Sequence, residues 1–221
     1  MGAIARAAAN NITTSGVFTS GAIANSSVTG ITVLANASDG ITLISSQTAS
    51  SSATISFTTG IDSTYKAYKF VFVNIHGSIQ DNSDGIEFQF NMSTDGGSNY
   101  NVTKTTTMFH AYHKEDGTDP TLTYQPSYDL AQSTNFQNLF IVAGNDGTDE
   151  SGSGSLILFN PSSTTYVKHF ISNNNFYSYH DYSFNIFVSG YGNTTSAVNA
   201  IQFKMSAGNI DAGTIYMYGI K

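Results

Sequence analysis

The chain has 221 residues, of which 40% are hydrophobic, 13% aromatic and only 10% charged, where an average soluble domain is about 25% charged. Eight Lys plus Arg against fifteen Asp plus Glu leave a net charge of −7, so no basic footprint exists for a phosphate backbone and nucleic-acid binding is excluded. The absence of Cys removes disulfides, thiolate metal sites and Cys nucleophiles, and no stretch approaches the roughly 20 apolar residues that span a bilayer.

The first residues carry one Arg and an Ala run but no apolar core of a secretory signal, and Arg6 stands where an N-myristoylation motif needs Ser or Thr. From residue 2 to about 46 the chain is mostly Ala, Ser, Thr, Gly and Asn, with Phe18 its only aromatic. Such a segment cannot make a core of its own. Short echoes occur in it, Thr14-Ser15-Gly16-Val17-Phe18 running into Thr19-Ser20-Gly21-Ala22-Ile23, but they are far below a solenoid period. It reads either as a flexible leader or as an extended arm. We take the arm, residues 1–45, whose isolated Ile4, Ile12, Val17, Phe18, Ile23, Val28 and Ile31 drop one at a time into grooves on a neighbouring surface. Order in such an arm requires that surface, because each fixed residue costs roughly 1–2 kcal/mol of chain entropy.

From residue 41 onward the hydrophobic period is two. Residues 85–93 alternate cleanly, with Ile86, Phe88, Phe90 and Met92 on one face and Glu87, Gln89, Asn91 and Ser93 on a wet one. Phe70, Val71, Phe72, Val73 and Ile75 are apolar on both faces, which predicts a strand covered on both sides. Further strands are predicted at 54–58, 102–112, 136–142, 156–159, 165–171, 184–188, 201–205 and 214–218, ten in all, and no helix is required. The turns Asp95-Gly96-Gly97-Ser98 and Asn160-Pro161-Ser162-Ser163 read as hairpin connections. The pattern predicts an all-β domain over residues 46–221, a two-sheet antiparallel sandwich of jelly-roll type, with subunit contacts covering its edges.

Catalytic signals are sparse. His110 and His113 have an odd spacing that puts them on opposite faces of a strand, which makes a poor bidentate metal site. His76 and His169 read as hydrogen-bonded sandwich histidines. No Gly-x-Ser-x-Gly elbow exists, only Glu87, Glu115 and Glu150 are available for paired-carboxylate chemistry, and no phosphate-cradling loop precedes a helix. The acidic loops at 81–85 and 146–150 offer oxygen ligands, yet turn formation explains them without an ion. No catalytic residue, metal or cofactor is therefore assigned. The most site-like stretch is the phenol-rich Tyr177, Tyr179, His180 and Tyr182, with Tyr112, Tyr124 and Tyr128 also in or beside loops. Tyrosines so placed suit a sugar ring or a protein partner equally.

Several stretches resemble a family of small virion structural proteins of tailed bacteriophages, of the marine and cyanobacterial type. They are 53–65 with Thr59-Gly60-Ile61-Asp62-Ser63-Thr64-Tyr65, 68–76, 93–101 with Asp95-Gly96-Gly97-Ser98-Asn99-Tyr100, 158–169 with Asn160-Pro161-Ser162-Ser163-Thr164, and 203–220. The resemblance implies a non-enzymatic particle component, located in the virion and partnered by capsid or tail proteins, with no catalytic residues to carry over. On this expectation the arm anchors the molecule while the sandwich is displayed in a homo-oligomer, a trimer being the simplest, as capsid decoration or as part of a tail or fibre. The alternative is a carbohydrate-binding or receptor-binding module, reading a host-surface glycan through the Tyr177, Tyr179 and Tyr182 platform.

Overall fold

The computed structural model describes residues 40–79, 86–141, 149–178 and 180–221. The arm residues Ile4, Ile12, Val17, Phe18, Ile23, Val28 and Ile31 lie outside them, as does most of both acidic loops. The described chain forms twelve strands: β1 (Ile41–Thr48), β2 (Ile55–Phe57), β3 (Ala67–Gly77), β4 (Glu87–Ser93), β5 (Lys104–Lys114), β6 (Thr121–Tyr124), β7 (Gln137–Ile141), β8 (Gly152–Phe159), β9 (Lys168–Ser178), β10 (Tyr182–Gly192), β11 (Ala200–Met205) and β12 (Ile210–Ile220). A single 3-10 turn, Pro126–Tyr128, completes the list of regular elements among the described residues.

The strands make two antiparallel sheets, one of eight in the order β1-β12-β3-β8-β9-β10-β5-β6 and one of four in the order β2-β11-β4-β7. The predicted all-β sandwich is therefore the observed fold. Without β5, β6, β9 and β10 the two orders reduce to β1-β12-β3-β8 and β2-β11-β4-β7. That is a jelly roll, in which the chain crosses to the other sheet at each step except from β4 to β7, neighbours in the small sheet. The remaining four strands are two insertions, β5-β6 and β9-β10, that widen one sheet and leave the other at four.

Phenylalanine fills the space between the sheets. Phe70 and Phe72 of β3, Phe88 and Phe90 of β4, Phe140 of β7, Phe170 of β9 and Phe203 of β11 are all 0–1% exposed. Their rings meet edge to face or stacked: Phe72 lies 5.2 Å from Phe88 and 5.3 Å from Phe203, and Phe90 lies 4.9 Å from Phe170. Each such pair adds about 0.5–1.5 kcal/mol beyond area burial, so strands only a few residues long are held. Gly213 of β12 marks where this packing bends the sheet. It has φ +110° opposite a bulge at Asn74, and a Cβ there would come within 2.6 Å of the Asn74 carbonyl oxygen.

Four sequence expectations need correction. The arm boundary at 45 falls too late, because residues 41–45 belong to β1, which pairs with β12 from Ile41↔Ile220 onward. The Asp95 turn is not a hairpin, since β4 and β5 lie in different sheets; it is a crossover held by its own side chains. Ser93 Oγ accepts from the Gly97 N–H (3.0 Å) and donates to Asp95 Oδ1 (2.6 Å), and with the Asn99 donors this holds the Asp95 carboxyl down at about 2. The outward face of β4 is not wet, for Asn91 and Ser93 are buried. Asn91 Nδ2 donates to the carbonyls of Tyr100 and Thr134, both in loops that fold over the small sheet. Finally, β3 is covered on one side only, with Val73 39% exposed. The strands β1 and β6 were not anticipated, because as sheet edges they carry few buried residues and a weak apolar signal.

Two lysines close one end of the sandwich. Gly192 of β10 pairs with Lys104 of β5 on one side and Lys168 of β9 on the other, and both lysines are fully buried. Lys104 Nζ donates to Asn91 Oδ1 (2.6 Å) and the Val102 carbonyl (2.9 Å), and Lys168 Nζ donates to the Tyr166 carbonyl (2.7 Å). Burial pushes the Lys104 amine down to about 7 and lowers Lys168 in the same direction. Between about pH 7 and 10 the unfolded chain then binds protons that the folded chain does not, so stability rises with pH across that window and is lost as pH falls through it. Urea unfolding at a series of pH values should show this rise, at most about 1.4 kcal/mol per pH unit for one such amine, and Lys104→Met should remove Lys104's share. A wild-type profile that is flat from pH 7 to 10 contradicts the assignment.

Candidate functional site

The inner face of the wide sheet changes character along β9, β10 and β5. The register stacks Lys168–Gly192–Lys104 at one end, then Phe170–Gly190–Thr106, Ser172–Val188–Met108, Asn174–Ile186–His110 and Phe176–Phe184–Tyr112 in succession. The small sheet ends at β7, which lies over β9 and β10. Beyond β7, among the described residues, no strand faces the last rows of β9 and β10 or those of β5 and β6. Those rows line a cavity of about 380 Å³.

Every lining residue except Ile141 of β7 belongs to the two insertions or their connections. The floor is aromatic: Phe176 and Phe184 stack at 4.5 Å, and Tyr112 tilts against Phe184 at 4.9 Å. Tyr182 meets Tyr112 nearly at a right angle, 83° with centroids 5.5 Å apart, so the two phenols form a corner. The walls are polar. Gln125 Nε2 lies 3.0 Å from His110 Nε2, and burial holds the His110 ring below its usual range. An amide donor facing that nitrogen requires a neutral imidazole accepting there. Across the cavity Tyr182 Oη donates to Asp119 Oδ2 (3.0 Å), a bond that raises the phenol above its ordinary range. Thr123 and Ser178 contribute hydroxyls.

The structure divides the stretch that the sequence reading grouped as one platform. Tyr182 and His180 line the cavity. Tyr177 is an outward residue of β9, paired across the sheet with Ser183, and its hydroxyl donates to Asp181 Oδ1 (2.9 Å), which pushes that phenol up to about 12. Strand alternation is the reason: Tyr177 and Tyr182 flank a tight turn with Ser178 paired to Tyr182, so they face opposite sides. Tyr179 lies outside the described residues. Tyr112 and Tyr128, named among the loop tyrosines, also line it, and His110, weighed only as a metal ligand, joins them; Asp119, Gln125 and Phe184 complete the site unannounced. Of these, His110 and Tyr112 share a strand face at a spacing of two, but only the pairing of β5 with β10 reveals that Phe184 and Tyr182 stand beside them. His113, as expected from its spacing, lies on the opposite face of β5 and is exposed.

A second cavity of about 470 Å³, lined by Gln89, Phe136, Asn138 and Lys204 among others, opens outside the small sheet. Its amides satisfy each other, Gln89 Nε2 to Asn138 Oδ1 at 2.6 Å, and the Lys204 ammonium sits 4.6 Å from the Phe136 ring centre. Among the described residues no group of three or more His, Asp or Glu converges as a metal site would require.

No family model, curated protein or solved structure matches this chain.

The floor and the walls of the corner should separate in stability measurements. Phe184→Ala removes a ring shared by Phe176, Tyr112, His110 and Tyr182 and is expected to cost about 2–3 kcal/mol in denaturant unfolding. Gln125→Ala removes one half-buried hydrogen bond and should cost no more than about 1 kcal/mol. Equal costs would mean that the polar wall is as structural as the floor.

Proposed function

We propose that the chain is a non-enzymatic structural protein of a tailed-phage virion, anchored through the segment that precedes β1 and displaying its jelly-roll sandwich on the particle, as capsid decoration or as part of the tail or fibre. The observation that carries this reading is the outer face of the wide sheet. Phe109 and Phe187 stack there at 5.0 Å and are 42% and 36% exposed, with Ile171 at 51% and Tyr124 at 56% nearby. Among the outward-facing residues of β3, β5, β8, β9 and β10, Lys69 is the only Lys, Arg, Asp or Glu. A broad face with almost no charge and with exposed rings marks a surface that another protein covers. This suits a homo-oligomer seated among other virion proteins. The likeness of residues 53–221 to phage structural proteins points the same way.

The second reading, a carbohydrate-binding or receptor-binding module, is favoured by the aromatic corner at the end of the sandwich. The two readings are compatible in a displayed domain.

The particle reading is tested by location. Peptides of this chain should co-sediment with gradient-purified phage particles, and deleting residues 2–39, which keeps β1 whole, should abolish that association while the far-UV spectrum stays that of a β protein. Recovery of the full-length chain only in the particle-free fraction overturns the reading. In sedimentation velocity, Phe187→Asp should shift the purified chain toward monomer without lowering its Tm; an unchanged distribution rules out self-association through this face.

A further inference from the structure

We infer that the corner formed by Tyr112, Tyr182 and Phe184 is a binding site for one uncharged pyranose ring, the terminal residue of a neutral glycan. This goes beyond the particle reading and rests on the second reading above, naming the ligand class of that corner from the geometry of its cavity.

Three features select the ligand class. The first is a division into apolar and polar sides. Two half-buried phenols at 83° present ring surface to the C–H face of a sugar, while Asp119, Thr123 and Gln125 stand on the rim, where ring hydroxyls project. Tyr182 occupies one of the two Asp119 carboxylate oxygens, which leaves the other for a hydroxyl pair. Gln125 gives its amide nitrogen to His110, which turns its carbonyl into an acceptor for a ligand hydroxyl.

The second feature is size. About 380 Å³ lies at the low end of the roughly 300–1,000 Å³ typical of ligand clefts, and it fits one or two rings rather than a chain. The third is charge. Asp119 disfavours an anion, the His110 imidazole is neutral, and the whole chain carries −7. An organic cation is also disfavoured. The Lys114 ammonium, 5.7 Å from the Tyr182 ring centre, already places a positive charge at the corner and repels a second one. What remains is a neutral ligand rich in hydroxyls with one apolar face.

The test uses the full-length chain and titrates it with methyl glycosides of glucose, galactose, mannose and N-acetylglucosamine, each alone, followed by amide chemical shifts. N-acetylneuraminic acid and tetramethylammonium serve as the charged comparisons. At least one neutral glycoside should saturate with a Kd of about 1–10 mM, as weak as one ring on one corner, and should move amides of residues 110–112, 123–125 and 182–184. Gln125→Ala should weaken that binding about three- to tenfold, the range a lost neutral hydrogen bond spans, whereas Phe109→Ala on the opposite face should leave it unchanged. Failure of every neutral glycoside to saturate overturns the inference. So does preference for either charged comparison, or a glycoside that binds equally well to Gln125→Ala. None of these outcomes bears on whether the chain co-sediments with particles, so the two proposals fail separately.

Discussion

Four strands cannot cover eight, and this mismatch of widths organises the molecule. A jelly roll of two matched four-stranded sheets would bury the inner faces of both. Here the chain inserts β5-β6 after β4 and β9-β10 after β8, and all four strands join the same sheet. Their inner faces must then be covered by something other than strands. At one end the loop residues around Val102 and Ser133 do this, with buried lysine amines tied to carbonyls; at the other end the cover stops and the aromatic corner is left open.

The two ends of that inner face meet the cost of polarity in different ways. At the lysine end, Met92 and Val102 fill the gap that Gly192 leaves, where a Cβ would come within 2.9 Å of both, and the stem of Lys168 packs beside them. The ammonium groups find carbonyl acceptors but no carboxylate, so burial acts on them undiluted and their protons are held weakly. At the open end the polar groups are placed among aromatic rings, each already engaged once: Gln125 with His110, Tyr182 with Asp119. Single engagement orients a group and leaves it a lone pair or proton for a ligand, which is what separates a binding wall from a sealed core.

The outer face of the same sheet shows a third solution. Its middle rows bring Phe109, Phe187 and Ile171 from three different strands into one neighbourhood with almost no charge. In a molecule with so few lysines, no residue blocks another surface from lying against it. One wide sheet thus carries both the candidate ligand corner and the candidate assembly face, on opposite sides of a single layer, so a partner seated on one leaves the other open.

Much of this was legible in the residues. Alternation in 86–92 and 201–205, turn chemistry at Asn160-Pro161, and the scarcity of helix formers with helical spacing led to an antiparallel sandwich, because which face of a strand is buried is a local property of period two. The His110 and His113 separation is local in the same sense. The site was less legible. His180 and Tyr182 were found because they sit in an unusual run of phenols, but the same run also drew in Tyr177, which faces the other way. Likewise Asp95-Gly96-Gly97-Ser98 has hairpin chemistry but serves as a crossover, since turn residues specify a local bend and say nothing about which sheet receives the next strand.

The sequence by itself determined that this chain folds as a sandwich of paired antiparallel sheets, and that it has little charge with which to bind nucleic acid. Only the tertiary structure decided that Tyr112, Asp119, Gln125 and Tyr182 share a corner, and that Phe109 and Phe187 share a face. Tyr182 stands 70 residues from Tyr112 and Phe187 stands 78 from Phe109, and strand register, set by the summed packing of both sheets, is what brings them together.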